Sequence, residues 1–110
     1  MLFYRIERLS KEGLWYDVNG VYTGLIHTTY SYCKASSLPM PFDEELVGWL
    51  SATQSLEELY AWFPKEDIIR LQDSGYKICV YEATDIKFYA PYNHQVISAA
   101  TSVLVDTLTL

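Results

Sequence analysis

At 110 residues, half of them hydrophobic and a fifth charged, the chain is long enough for one domain with a modest core and too apolar to be disordered. Eight Lys and Arg against fourteen Asp and Glu leave a net charge of −6. That counts against a nucleic-acid ligand, because binding phosphates takes clustered cations that displace counterions. No apolar run approaches the roughly 20 residues that span a bilayer, and the start MLFYRIERLSKEG lacks the pattern of a secretory signal.

Cys33 and Cys79 are too few for a disulfide framework and have no metal-ligand spacing, so a reduced, cytoplasmic protein is expected. Aromatic residues are plentiful: three Trp, ten Tyr and four Phe. Tyr and Trp combine apolar area with a polar tip, which suits an interface as well as a core. Ten hydroxyls are hard to satisfy in a small interior. The acidic balance fits a partner with a basic surface, and it also serves solubility alone.

Residues 2–7 alternate, with Leu2, Tyr4 and Ile6 against Phe3, Arg5 and Glu7. The pattern predicts a first strand with one apolar and one mixed face. Ser10 to Gly13 reads as a turn. Asn19-Gly20, flanked by apolar residues, predicts a two-residue hairpin joining 15–18 to 21–25. Residues 26–41 are polar and aromatic, with two prolines and no period, which predicts a long surface segment. Asp43 is placed to cap a short helix over 44–46, and 49–53 reads as a short strand.

The strongest pattern runs from Val47 to Glu82. Ser55 and Glu58 have capping-box spacing, in which the serine accepts from the third helical N–H and the glutamate reaches back. Leu56, Leu59, Tyr60 and Phe63 share one helix face. Pro64 ends that helix and suits the first turn of another, carried by Ile68, Ile69 and Leu71 until Gly75 stops it. Tyr76, Ile78 and Val80 alternate with Lys77, Cys79 and Tyr81 as a half-buried strand. After a turn at 83–85, the segments 86–89, 94–97 and 103–110 read as closing strands, the last carrying one charge. The predicted fold is α+β in a single domain over 1–110, a mostly antiparallel sheet with one main helix pair between residues 55 and 74.

Catalytic signals are sparse. His27 and His94 are isolated, and neither HxxxH, CxxC, GxGxxG nor a Walker loop occurs, so no metal site or phosphate cradle is spelled out. A Cys33–His94 pair has no local support, and Cys79 reads as a small buried hydrophobe. Asp43, Glu44 and Glu45, and later Glu66 and Asp67, fall at helix starts, where the macrodipole favours them. Glu82 ends its strand on the Val80 face, at the edge of a site or at the exit from the core.

Three stretches, Tyr4-Arg5-Ile6, GWLSATQSLEELYAWF (residues 48–63) and His94 to Ile97, resemble a set of short phage and mobile-element proteins of unassigned role. More loosely, their order resembles a reduced ADP-ribosyltransferase. That resemblance implies an NAD cofactor, with Arg5 holding the NAD phosphate or ribose and Ser51 and Thr53 in the middle strand motif. The late-strand Glu of that family is replaced by Gln95, which lacks the charge to steady an oxocarbenium-like transition state, and Glu82 on an earlier strand is the nearby substitute.

Two functions follow as expectations. The first is a small acidic module, with no cofactor and no catalytic residues, that binds and inhibits a host protein in the host cytoplasm. A defence system blocked in the manner of an anti-CRISPR protein fits that description, with no nucleic acid or membrane as direct partner. Trp15, Tyr16, Tyr22, Tyr30 and Tyr32 are its expected contact residues. The second is an NAD-dependent enzyme using Arg5, Ser51 and Glu82, which requires that these residues meet in one cleft. A structural or oligomerising module would also use the aromatic excess.

Overall fold

The computed structural model describes residues 1–8, 13–28, 30, 33, 44–90 and 94–110. Among the described residues, six strands form two antiparallel sheets of three, with a helix pair between the second and third strands in sequence. Strands β1 (Leu2–Arg8), β3 (Tyr76–Glu82) and β6 (Val103–Leu108) make the first sheet, with β3 in the middle. Strands β2 (Trp49–Ser51), β5 (His94–Ser98) and β4 (Ile86–Tyr89) make the second, with β5 in the middle. The fold is α+β, as the patterning predicts, but the sheet is divided in two.

A bridge joins the sheets. Just past β2, Thr53 exchanges backbone hydrogen bonds with Tyr4 (2.8 and 3.0 Å), so β1 is paired along both of its edges. Burial departs from the half-buried strand expected over 76–81 and from the mixed face expected of β1. Phe3, Arg5, Ile6 and Glu7 of β1 are all buried, and so are Ile78, Cys79, Val80 and Tyr81 of β3. Alternation does assign two faces to each strand, yet both faces are covered by protein.

The helix pair forms where the sequence places it. Helix α1 (Leu56–Trp62) is capped by Ser55, whose Oγ accepts from the Glu58 N–H at 3.2 Å. The reciprocal half of the capping box is not made: the Glu58 carboxylate has no hydrogen-bond partner among the described residues. Pro64 stands at the N-cap of helix α2 (Lys65–Asp73), its fixed φ of −65° leading into the first turn. Gly75 at φ +89° lets the chain turn directly into β3. Leu59, Phe63 and Leu71 bury the inner faces of the pair against β1 and β3.

The expected two-residue hairpin is replaced by a wider turn. Asp17 organises it, its carboxylate accepting from the N–H groups of Asn19 (2.9 Å) and Val21 (3.0 Å). Gly20 donates to the Asp17 carbonyl at 3.0 Å and adopts φ +79°. The Asp17 side chain supplies acceptors that a tight Asn-Gly loop would not use, and the strand pairing shrinks to one bridge, Tyr16 with Tyr22. The short helix over 44–46 is present as a 3-10 turn, Glu44–Leu46, and a second such turn covers Leu25–His27. The expected cap at Asp43 and most of the predicted segment 26–41 lie outside the described residues.

Candidate functional site

Arg5, one of the residues proposed for catalysis, is locked into a buried structural cluster. Arg5 and Glu7, two apart on β1, point the same way, and Cys79 and Tyr81 stand beside them on β3. Arg5 Nε donates to Glu7 Oε2 at 2.7 Å, Nη1 to the Ser51 carbonyl at 3.0 Å and Nη2 to the Tyr16 carbonyl at 2.8 Å. Every nitrogen of the guanidinium is committed, and the residue is 5 % exposed. Tyr81 donates its hydroxyl to the other oxygen of Glu7 at 2.6 Å. Gly13 closes the cluster, because a side-chain carbon there would run into the Tyr16 carbonyl and the Arg5 guanidinium.

The enzyme constellation therefore does not assemble. Ser51 meets Arg5 through its backbone carbonyl. Thr53 spends its hydroxyl on the Ser55 carbonyl at 2.9 Å. Glu82 lies three residues along β3 from Cys79, the partner of Arg5, with its carboxylate half exposed and paired to the Met1 amine. At about 3.3 Å per residue, that separation leaves Arg5 and Glu82 out of reach of one another. Gln95, at the position where the family resemblance wants a Glu, belongs to the second sheet and pairs with Phe88.

The cluster's electrostatics suit a fixed support. Burial pushes the Cys79 thiol up to about 12, and the Glu7 carboxylate beside it adds to the rise while Arg5 opposes it. Burial and the bond to Glu7 push Tyr81 up as well. Cys33 is raised to about 11 by burial and by Asp67. Reactive thiols need the opposite shift, so both cysteines stay protonated at neutral pH. Among the described residues, no three His, Cys, Asp or Glu side chains stand close enough to hold a metal ion. No helix among them is long and apolar enough to cross a membrane.

The expected contact residues are mostly interior. Trp15, Tyr16 and Tyr30 are buried at 6, 2 and 5 % exposure. Trp15 packs against Trp62 and Phe63 at the end of α1, with ring centroids 6.1 and 5.9 Å apart. Tyr30 stands edge-on to Tyr76 at 5.3 Å. Tyr22 is partly exposed but holds the ring of Tyr16 at 5.3 Å. Tyr32 lies outside the described residues. Trp15, Tyr16 and Tyr30 all belong to the buried core cluster, where their rings supply apolar volume.

Two exposed features stand out instead. The first is β6, the outer strand of its sheet, where Val103, Leu104 and Val105 are consecutive and 60, 50 and 54 % exposed. Its register with β3 shifts between Val80 and Tyr81, so Asp106 faces Val80, Leu104 faces Tyr81 and Val105 is left as a bulge. Beside it lies a cleft of about 330 Å³ lined by Glu7, Cys79, Tyr81, Ser102, Leu104 and Thr107, so the buried cluster forms its wall. The second feature is a groove of about 320 Å³ between α1 and the second sheet, lined by Glu58, Trp62, Phe88 and Gln95. Sequence reasoning assigned Glu58 to a cap and residues 103–110 to a closing strand. Three apolar residues in succession, which no one-sided strand needs, were the available sign of the β6 surface.

The whole chain, residues 1–110, matches the family described as bacteriophage T4 Y00F protein. No curated protein and no solved structure is significantly similar to it. With the match running from end to end, the chain belongs to the bacteriophage T4 Y00F protein family.

Proposed function

We propose that this phage protein is a binding module that docks on a host protein through its β6 edge and blocks the surface it covers. The observation that carries this reading is the open outer edge of β6 with Val103, Leu104 and Val105 exposed in succession. An edge strand offers unpaired N–H and C=O groups, and proteins ordinarily guard such edges with lysines or prolines. Here the strand carries one charge, Asp106, and no proline. A partner segment added to that edge gains backbone hydrogen bonds, and its side chains meet the exposed valines and leucine.

Charge supports a basic partner. Asp106 on β6 and Asp85, held by Thr101 just before β6, are both exposed. Together with the net charge of −6 they favour encounter with a positively charged surface. Host defence nucleases, whose nucleic-acid grooves are basic, fall in that class. The test places a photo-activated cross-linking residue at Val105 in one protein and at Ile69, exposed on α2, in another. Both are irradiated in host extract. The expected result is an adduct with one host protein from Val105 only, and loss of that protein's activity when the phage protein is added in equal amount. No adduct, or the same adducts from both positions, overturns the reading.

A further inference from the structure

We infer that the groove between α1 and the second sheet is a binding site for an arginine side chain carried on a protein segment. Its walls come from opposite layers. On α1, Glu58 and Trp62 are one turn apart and so lie on one face, with Ala61 beside them. On the second sheet, Phe88 of β4 and Gln95 of β5 are direct cross-strand partners, which sets ring and amide side by side. The space enclosed is about 320 Å³, and among the described residues no Lys, Arg or His lines it.

Each wall offers something that a guanidinium uses. Gln95 Oε1 is buried and accepts no hydrogen bond. A buried carbonyl oxygen left this way is destabilising unless a donor reaches it. Glu58 supplies a carboxylate that its expected capping bond does not consume, since that reciprocal bond is absent. Phe88 is 56 % exposed, so its ring is available at the groove mouth. The Trp62 ring is held in place edge-on by Trp15 at an interplanar angle of 77°. A planar cation stacks on aromatic faces and points its N–H groups outward in the plane, here toward Glu58 and toward the Gln95 amide, whose enclosed Oε1 is reached when that side chain rotates into the groove. A lysine ammonium is a point charge that would use the carboxylate but gain less from the flat walls.

The source of the arginine, a basic protein, rests on the binding-module reading, while the groove and its chemistry do not. The experiment keeps them apart because it needs only the purified protein and synthetic probes. Backbone amide NMR shifts are followed during titration with a hexapeptide holding one central arginine. Parallel arms use the same peptide with lysine, the same peptide with neutral citrulline, and N-acetyl-arginine amide. The expected result is saturable shifts at Glu58, Ala61 and Gln95 with the arginine peptide, several-fold weaker binding with lysine, and none with citrulline. Glu58→Gln should weaken the arginine peptide about five-fold, Phe88→Ala about three-fold and Gln95→Leu about ten-fold. Unchanged thermal unfolding of Glu58→Gln and Phe88→Ala, both at exposed positions, shows that lost binding is not lost folding. Absent shifts in the groove, or equal binding of citrulline or lysine, overturn the site. N-acetyl-arginine amide binding as tightly as the peptide overturns the protein source. A failed cross-link at Val105 leaves all of these results intact.

Discussion

Strands β1 and β6 flank the same central strand and have opposite fates. β1 carries Arg5 and Glu7, yet both are buried, because Gly13, Tyr16, Ser51 and Tyr81 close over their side chains. β6 carries a single charge and a run of apolar residues, yet it lies open on its outer edge. Polarity alone would have predicted the reverse. What decides is whether long-range partners are available. Arg5 finds Ser51, Tyr16 and Glu7, and Glu7 also finds Tyr81, so the charges are satisfied inside, whereas nothing in the described chain covers β6. In β1 the polar groups fix the position of neighbouring segments; in β6 the apolar groups remain available to another molecule.

The largest effect should come from breaking the buried side of this contrast. Glu7→Ala strands the Arg5 guanidinium and the Tyr81 hydroxyl in the interior, and should cost about 3–5 kcal/mol in denaturant unfolding. The double change Arg5→Met with Glu7→Leu, which removes both charges, should recover a good part of that loss. If Glu7→Ala proved as stable as the parent, the cluster would not be the support described. Tyr81→Phe removes one bond to the same carboxylate and keeps the ring, so about 1.5–3 kcal/mol is expected from the same unfolding curves.

Alkaline pH probes the cluster without mutation. The Cys79 thiol ordinarily titrates near 9.0 and is raised to about 12 in the folded protein, so the folded state holds its proton when the unfolded chain has lost it. Stability should thus be unaffected by this group below pH 9 and fall as the pH rises toward 12. Melting temperatures at pH 7, 9 and 10 measure this, and a Cys79→Ala variant should show a shallower decline. The smallest effect belongs to β6: Val103→Thr and Val105→Thr should change stability by no more than about 0.5 kcal/mol while weakening any partner cross-linked at that edge. A large loss of stability in these variants would mean that the strand's apolar residues serve the fold and not a partner.

Local chemistry was legible in the sequence where neighbours in the chain determine the outcome. Ser55, Pro64 and Gly75 set the ends of the helix pair, and the alternation of residues 76–81 gave β3 its place. The Asn19-Gly20 signal was outweighed by Asp17, whose carboxylate holds a wider turn. The site was less legible because its contacts are distant in sequence. Sequence alone marks Arg5 as a ligand residue, whereas Tyr16 and Ser51, 11 and 46 residues away, claim its guanidinium. Trp15, Tyr16 and Tyr30 looked like a contact surface for a related reason: aromatic richness marks both cores and interfaces, and only burial separates the two. Glu58 and Phe88 meet at one groove only because α1 packs beside the second sheet, which no local pattern encodes.

The bulge at Val105 bears on how far this protein can associate with itself. With Leu104 and Asp106 facing consecutive residues of β3, the strand changes phase midway along its length. A straight incoming strand can keep good hydrogen-bond spacing over one half of the edge and must then skip a residue to continue. Copies stacking edge to edge would meet that interruption at every junction, so the open strand does not serve as a template for endless filaments. A segment short enough to use one half, or carrying a matching irregularity, avoids the penalty. The exposed edge is thereby selective by length and phase as well as by side-chain chemistry.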